Sequence, residues 1–258
     1  MPGDEEPDLS DDGALGGRLR LLQPRRGHRF GHDAILLAAA TGARATEHAV
    51  DLGAGVGAAG LALARRVPGL IVTLVEIDAS LATLAAENAR RNGLADRVRS
   101  LALDVGAPAR ALAAAGLRPG CAERVLMNPP FHDESRAHVS PDPRRRLAHA
   151  APRAAIAVWV KTAARLLAPG GVLTLIWRAD GLGEVTAALV GKLALDAVLP
   201  IRPRPSDQPI RVIVRALKGG RGRHAVLPGL DLNDDEGRPT AYAEAVLRQA
   251  AELPLASL

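Results

Sequence analysis

The sequence has a single cysteine, Cys121, in 258 residues. One cysteine excludes a disulfide within the chain and offers no cysteine spacing for a metal site. No apolar run is long enough to cross a membrane. The first residues also lack the basic-then-apolar pattern of a secretory signal, because they are acidic. These absences predict a cytoplasmic protein without a bound metal or a membrane span.

Lysine is scarce as well: Lys161, Lys192 and Lys218 are the three lysines, so nearly all of the 33 basic residues are arginine. Against 28 acidic residues, they give a net charge of +5 and a sequence pI of about 10.2. Basic chains often bind nucleic acid. Heavy use of arginine and alanine can also reflect a genome bias, so the position of the basic residues matters more than their number.

The length suits one α/β domain with a sizeable core. Residues 1–17 are acidic and rich in Gly, Pro and Asp, which predicts a disordered tail. The remainder, 18–258, is predicted to be a single domain, with an N-terminal arm and helix over 18–42 and a C-terminal extension over 219–258. Within the arm, 18–22 and 25–30 suggest a small hairpin or an extended segment.

Apolar strands alternate with helical stretches along the domain, which predicts a doubly wound, mostly parallel sheet. Strands are predicted at 49–53, 71–76, 98–103, 124–127, 172–177, 194–199 and 210–216. Helices are predicted at 33–40, 58–67, 79–92, 107–115, 153–167, 181–191 and 240–252, and a short extra strand at 225–230.

One of these strands ends in an unusual corner. The apolar run Val125–Met127 predicts a strand buried on both faces. Pro129 and Pro130 end it at once, and the residue before a proline, Asn128, is held in extended geometry. The result is an amide and an aromatic ring, Phe131, at the carboxyl end of a strand, where open α/β sheets bind ligands. An isolated Asn-Pro pair would indicate only a turn.

A glycine-rich loop lies upstream of the corner. Asp51 ends an apolar run, and Gly53, Gly55 and Gly57 then alternate before a helix. Glycines allow a ligand close to the backbone and tolerate positive φ. The next strand ends in Glu76, near the spacing of about 20 residues at which an acidic side chain meets a ribose hydroxyl pair.

The same loop also fits the dinucleotide fingerprint over Gly55–Gly60, so a nicotinamide enzyme is an alternative. Two features oppose it. Asp51 places a carboxylate where a pyrophosphate would be repelled and an ammonium attracted. The corner at Asn128 has no evident use in a dehydrogenase.

Asp-x-Gly-x-Gly-x-Gly, then Val-Glu-x-Asp, then Asn-Pro-Pro-Phe resembles the class I S-adenosylmethionine-dependent methyltransferases that act on planar nitrogens. The segment Phe30–Ala38 is similar to bacterial tRNA adenine-N6 methyltransferases acting on valine tRNA. The resemblance runs from about residue 18 to the C-terminus. It implies a Rossmann-like fold, a seven-stranded sheet with an antiparallel closing strand, S-adenosylmethionine as cofactor, and an arm that closes over it.

The resemblance also implies cofactor roles. Asp51 and the loop glycines would hold the methionine part, and Glu76 would accept from both ribose hydroxyls. Asp104, after the third strand, would accept from the adenine amine; the alternative is a solvated carboxylate at a strand end. The full expected cofactor set is Gly31, Asp51, Gly53, Gly55, Gly57, Glu76, Asp104 and Asn128.

The expected catalytic set is Asn128, Pro129, Pro130 and Phe131. The Asn128 side-chain carbonyl and the Pro129 backbone carbonyl can each accept one hydrogen of the target amine, which stabilises the positive charge that develops on nitrogen. Pro130 fixes the corner, and Phe131 offers a face for a stacked base.

Two arginine-rich sets favour an RNA substrate, and the resemblance implies that the target is adenine in tRNA. The first is Arg144–Arg146, in a long segment whose histidines, at 132, 138 and 149, lack metal spacing. The second is the 202–223 set, which comprises Arg202, Arg204, Arg211, Arg215, Lys218, Arg221 and Arg223. A solvated charge run is the alternative for the first set. Guanine in ribosomal RNA, glutamine in a release factor and a non-catalytic RNA-binding module stay open as other functions.

Overall fold

The structure is a computed structural model that describes residues 8–27, 29–130 and 152–258. Its strands are β1 Leu9–Ala14, β2 Leu19–Pro24, β3 His48–Leu52, β4 Ile71–Glu76, β5 Val98–Ala102, β6 Ala122–Met127, β7 Leu167–Arg178, β8 Ala194–Arg202, β9 Arg211–Leu217, β10 Ala225–Val226 and β11 Leu230–Asp231. Its helices are α1 His32–Ala40, α2 Ala58–Arg66, α3 Ala79–Arg91, α4 Ala109–Ala114, α5 Pro152–Leu166, α6 Leu182–Leu189 and α7 Ala241–Gln249.

Seven strands form the body of the sheet, in the order β8-β9-β7-β6-β3-β4-β5. β9 is antiparallel to both of its neighbours, whereas β7, β6, β3, β4 and β5 are parallel. The predicted doubly wound sheet with an antiparallel closing strand is therefore confirmed. The two-residue strands β10 and β11 both add to the outer side of β8.

Helices cover both faces of the sheet, so most residues of its central strands are apolar and buried. On one face α1, α2 and α3 pack in a cluster that includes Leu36, Leu61 and Leu74. On the other face α4, α5 and α6 pack in a cluster that includes Val160 and Trp177. Within the described ranges, no helix is long and apolar enough to cross a membrane.

Local chemistry fixes where the helices begin. Asp78 caps α3, since its Oδ1 accepts hydrogen bonds from the backbone N–H groups of Ser80 and Leu81. Thr240 caps α7 in the same way by accepting from the Ala243 N–H at 3.1 Å.

The N-terminal segment differs from the prediction of a disordered tail over 1–17. Leu9–Ala14 form β1, which pairs with β2 from Leu9 opposite Pro24 to Ala14 opposite Leu19. Of the two alternatives predicted for 18–22 and 25–30, a small hairpin or an extended segment, the hairpin is wrong, because the partner of β2 lies before it in the chain.

Two physical reasons explain the order of this hairpin. Its acidic residues are neutralised by arginines: Asp11 lies 3.2 Å from Arg20 and 2.6 Å from Arg91, and Asp12 lies 2.9 Å from Arg29. The hairpin also buries Leu19 and Leu21 completely. The amino-acid composition shows neither the ion pairs nor the apolar contacts. The disorder predicted from composition therefore extended too far along the chain.

Candidate active site

Apart from Gly31, and from Phe131, which lies outside the described residues, the sequence-predicted residues meet at one edge of the sheet, the carboxyl edge, where β3, β4, β5 and β6 end. The register pairs Leu52 of β3 with Met127 of β6. Gly53 and Asn128 directly follow these two residues, so the glycine loop and the proline corner leave the sheet from adjacent strands. Glu76, on the other side of β3, ends β4 at the same edge.

The glycine loop has the backbone that its sequence predicted. Gly53, Gly55 and Gly57 have φ values of +72°, +56° and +89°, in the left-handed region that favours glycine. Gly53 and Ala54 donate their N–H groups to the Val75 carbonyl at 2.8 and 2.9 Å, which ties the loop to β4. The loop is therefore a rigid turn directly above the sheet edge.

Glu76 is 8% exposed and organises the loop through both of its carboxylate oxygens. Oε2 accepts the Gly55 N–H at 2.8 Å, and Oε1 accepts the Asp78 N–H at 3.0 Å. A carboxylate oxygen has two acceptor sites, so each keeps one for a further donor. Glu76 is thus held in one orientation and can still bind a pair of hydroxyl groups.

Asp51 lies beneath the loop and is 2% exposed. Its Oδ2 accepts the Gly60 N–H at 2.8 Å, in the first turn of α2. Burial raises the pKa of the Asp51 carboxyl to about 7; the Gly60 hydrogen bond opposes this shift and the negative charge of Glu76 adds to it. A cation placed near this carboxylate would favour its ionised form.

Gly60 shows why the dinucleotide fingerprint fits this loop. A Cβ built on Gly60 would lie 2.3 Å from Leu74 Cδ2, so its glycine is required where α2 packs on β4. The position serves helix–sheet packing and says nothing about the ligand.

Asp104 lies beyond β5 at the same edge and is exposed. Its Oδ1 accepts the Gly106 N–H at 2.7 Å, which forms a local turn. The preceding residue, Leu103, donates its N–H to the Glu76 carbonyl at 2.8 Å, so Asp104 stands beside the end of β4.

Gly31 is placed differently from the rest of the expected set. It precedes α1 and lines a cleft of about 700 Å³ between the N-terminal hairpin and the C-terminal extension, together with Phe30 and His32. Asp33, near the start of the same helix, pairs with Arg211 at 2.9 Å. Among the described residues, no recorded contact joins Gly31 to the glycine loop.

The proline corner presents one unsatisfied acceptor. The Oδ1 atom of Asn128 is buried and has no hydrogen-bond partner in the described part of the chain. Pro129 is buried and Pro130 is exposed. Phe131 lies outside the described residues.

Three side chains at this edge were missed by sequence reasoning. Ile77 is 68% exposed between Glu76 and Asp78, and Val158 is 43% exposed on α5 beside Gly106. Trp159 on α5 packs on Gly53. The exposed isoleucine next to Glu76 could have been noticed in the sequence. The contacts of Val158 and Trp159 could not, because they depend on the docking of α5.

The structure divides the 202–223 set between two edges. Arg202, Arg204 and Arg211 lie at the carboxyl edge, at the end of β8, in the following loop and at the start of β9. The other four members lie toward the opposite edge, within β9 or after it: Arg215, Lys218, Arg221 and Arg223.

Most of the set already has a protein partner. Arg202 pairs with Asp231 at 2.5 Å, and Arg211 pairs with Asp33. Arg215 and Arg223 both pair with the buried Asp196. At the carboxyl edge, Arg204 is therefore the member of the set that forms no ion pair with another described residue. Arg144–Arg146 and the histidines at 132, 138 and 149 lie outside those residues.

No group of His, Cys, Asp and Glu in the described ranges could hold a metal ion. The edge instead combines a glycine loop, three carboxylates and an amide oxygen that no described residue donates to. This arrangement can bind a ligand that carries a cation and hydroxyl groups, and it presents an acceptor to a neighbouring N–H donor.

Comparison with known proteins agrees with this chemistry. The methyltransferase small domain family matches residues 30–190. The chain belongs to this family of methyltransferases. Its methyl donor is S-adenosylmethionine.

Curated relatives cover much of the chain. A tRNA1(Val) (adenine(37)-N6)-methyltransferase from Porphyromonas gingivalis is 30% identical over 190 residues, 72% of either chain. A release factor glutamine methyltransferase from Chlorobaculum tepidum is 33% identical over 154 residues, 56% of this chain and 50% of that relative.

Solved structures share the fold. A predicted O-methyltransferase from Agrobacterium tumefaciens has a TM-score of 0.73 and 28% identity, and the match covers 86% of this chain and 98% of that one. Geranyl diphosphate methyltransferase in complex with SAM has a TM-score of 0.51 at 14% identity and covers 72% of this chain and 84% of that one. The second similarity concerns the fold alone.

Proposed function

We propose that the protein transfers the methyl group of S-adenosylmethionine to the exocyclic amine of a base in RNA, N6 of adenine in tRNA. The observation that carries this proposal is the Asn128 Oδ1 atom, which is buried beside the glycine loop without a hydrogen-bond partner in the described part of the chain. A buried acceptor left unpaired costs about 1–3 kcal/mol. An amine that donates to Asn128 would remove that cost at the position where methyl transfer must occur.

The cofactor would lie along the carboxyl edge of the sheet. The second acceptor sites of Glu76 suit the two ribose hydroxyls, because its oxygens are already fixed by the N–H groups of Gly55 and Asp78. The exposed side chain of Ile77 offers the adenine ring an apolar surface next to that ribose site. Asp104 keeps one carboxylate oxygen for the adenine amine, since Oδ1 is used by Gly106.

The methionine end would approach Asp51 and the loop glycines. Positive φ at Gly53 and Gly55, and the absence of side chains there, leave the backbone open to the ligand. The buried carboxyl of Asp51 attracts an ammonium group more strongly than it would in water. Gly31 and its cleft precede the glycine loop in the chain and would contribute through the arm.

Methyl transfer from a sulfonium requires alignment more than acid–base catalysis. The nitrogen lone pair of a conjugated amine is delocalised, so the amine must be held and polarised. Asn128 Oδ1 and the Pro129 carbonyl would each accept one amine hydrogen and stabilise the developing positive charge. Holding the two reacting atoms in line supplies several kcal/mol of the barrier, on the order of 7–11 at best. Phe131 would stack on the base, and Pro130 would keep the corner rigid.

Glutamine in a protein is the second candidate substrate. Its side-chain amide is also a planar NH₂ group with a delocalised lone pair, so the same acceptor pair would serve it. The observation that favours it is the 33% identity to the relative from Chlorobaculum tepidum, over half of that relative's length. The tRNA candidate has relatives whose match extends over more of both chains.

The Asn128→Ala variant tests the proposal. Without the acceptor, methyl transfer to unmodified tRNA should fall by about 100-fold or more, as for a lost oxyanion-hole donor. Binding of S-adenosylhomocysteine should stay close to that of the unaltered protein, because the cofactor is held by Glu76 and the loop.

Asn233→Ala is the matched control. Asn233 is also an asparagine near the carboxyl edge, but its side chain donates to the Pro203 carbonyl at 3.2 Å and lies outside the proposed transfer site. Both variants should bind the cofactor. If Asn128→Ala transfers methyl groups as fast as Asn233→Ala, the corner is only a turn and the proposed mechanism fails.

A further inference from the structure

Helix α5 touches the glycine loop directly. A Cβ built on Gly53 would lie 2.3 Å from Cη2 and 2.8 Å from Cζ3 of Trp159. The edge of the indole ring therefore lies against the Gly53 α-carbon with no space between them. Trp159 is itself only partly buried, so part of its ring remains open at the carboxyl edge.

The same helix also touches the loop that carries Asp104. Thr162 Oγ1 donates to the Val105 carbonyl at 2.9 Å. Val158 Cγ1 lies 3.5 Å from the position of a Cβ built on Gly106. Thus α5 contacts the loop proposed for the methionine end of the cofactor through one side chain and the loop proposed for the adenine end through two others.

The loop residue that Trp159 contacts lies next to the proline corner. Gly53 and Asn128 follow the paired residues Leu52 and Met127, so they are neighbours at the ends of adjacent strands. Gly53 is already fixed by its hydrogen bond to Val75. Its φ of +72° favours glycine, which has no β-carbon to pack with. The indole ring supplies the missing packing surface.

We propose that Trp159 is a positioning residue for methyl transfer: it holds Gly53 against the methionine end of the cofactor and fixes the distance from that end to Asn128. Thr162 and Val158 of α5 fix the adenine end in the same way. A rigid helix that contacts both loops sets their separation before the cofactor binds, which lowers the cost of ordering the site. This inference rests on the proposed cofactor site.

Tryptophan fluorescence provides a test that does not depend on activity. The chain has two tryptophans, and the other, Trp177, is 1% exposed on β7 in the core. Binding of S-adenosylhomocysteine should therefore change the indole emission of the unaltered protein and of Trp177→Phe. It should leave the emission of Trp159→Phe unchanged.

Binding and kinetics test the positioning role. Trp159→Ala should weaken S-adenosylhomocysteine binding and lower kcat by at least about tenfold each, because a shift of about 1 Å at a reacting centre can cost on the order of 100-fold. Trp159→Phe keeps an aromatic ring on Gly53 and should recover most of both values. Lys161→Ala, at an exposed position two residues along the same helix, is the matched control and should change neither.

Each outcome decides one question. If calorimetry shows that the unaltered protein does not bind S-adenosylhomocysteine, the proposed function fails. If it binds but the emission is unchanged, Trp159 does not border the cofactor and this inference is wrong. If the emission changes while Trp159→Ala behaves like Lys161→Ala, Trp159 only lines the site and the positioning role is wrong. Should Trp159→Ala fail to fold, Trp159→Leu takes its place, since it keeps an apolar side chain and removes the ring; a kcat equal to that of Lys161→Ala would then overturn the positioning role.

Discussion

Cofactor binding should weaken as the pH falls below neutrality, because Asp51 must be ionised to attract the ammonium group of the ligand. Burial raises the pKa of the Asp51 carboxyl to about 7 in the free protein. Near pH 7 about half of the molecules carry the ionised form, and near pH 5.5 only about 3% do, so the apparent affinity should fall by on the order of tenfold over this range. The sign follows from linkage: a ligand that prefers the ionised form releases a proton on binding, and acid opposes that release.

The assay is calorimetric titration with S-adenosylhomocysteine at several pH values, in buffers of different ionisation enthalpy. These buffers reveal proton release directly. Asp51→Asn keeps an oxygen that can accept the Gly60 N–H and removes the charge, so its binding should be weaker at neutral pH and nearly independent of pH. Glu76→Gln removes a negative charge that raises the Asp51 pKa, so its pH dependence should move to lower pH. If Asp51→Asn retains the pH dependence of the unaltered protein, Asp51 does not meet the ammonium group.

Two further variants test other parts of the molecule. Asn88→Ala should destabilise the protein by several kcal/mol, because each buried group left unpaired costs about 1–3 kcal/mol. The Asn88 side chain accepts from the Leu22 N–H and donates to the carbonyls of Leu22 and Val56. Chemical denaturation measures the free energy of unfolding, and a loss below about 0.5 kcal/mol, typical of a surface change, would contradict the prediction. Replacing Arg144, Arg145 and Arg146 together with Ala should make tRNA binding less sensitive to salt. The slope of log binding constant against log salt concentration should become shallower by about 0.7–0.9 for each lost phosphate contact. An unchanged slope in filter binding across salt concentrations would show that these arginines do not contact RNA.

Local sequence predicted the centre of the fold well. Glycines at 53, 55 and 57 require a tight turn with positive φ, and prolines at 129 and 130 force a strand to end. Glycine and proline determine the backbone conformation of only the few residues around them, so their effects can be predicted without knowledge of the tertiary structure. They placed the loop and the corner at strand ends that the structure then brings to one edge.

Features that depend on distant partners were not predictable in the same way. β1 exists because Leu9–Ala14 pair with β2 and their acidic residues meet arginines from elsewhere. The contact between Trp159 and Gly53 depends on the angle at which α5 docks. Neither leaves a signal in the spacing of apolar or charged residues.

The excess of arginine illustrates the same limit. Arg97 donates to the carbonyls of Ala64, Val67 and Leu70 at and just after the end of α2. Arg66 donates to the carbonyls of Ala38 and Thr41 at and just after the end of α1. These arginines satisfy helix ends. Much of the basic charge therefore stabilises the fold, so the total charge is a poor guide to an RNA-binding surface.

Analysis of nucleosides from methylated tRNA tests the central proposal most directly. Unmodified tRNA is incubated with the protein and S-adenosylmethionine, digested, and examined by mass spectrometry beside a reaction with Asn128→Ala. The proposal predicts new N6-methyladenosine with the unaltered protein, almost none with the variant, and no new N2-methylguanosine in either. Methylation of a release factor glutamine with no new methylated nucleoside would contradict it, as would N6-methyladenosine formed equally by both proteins.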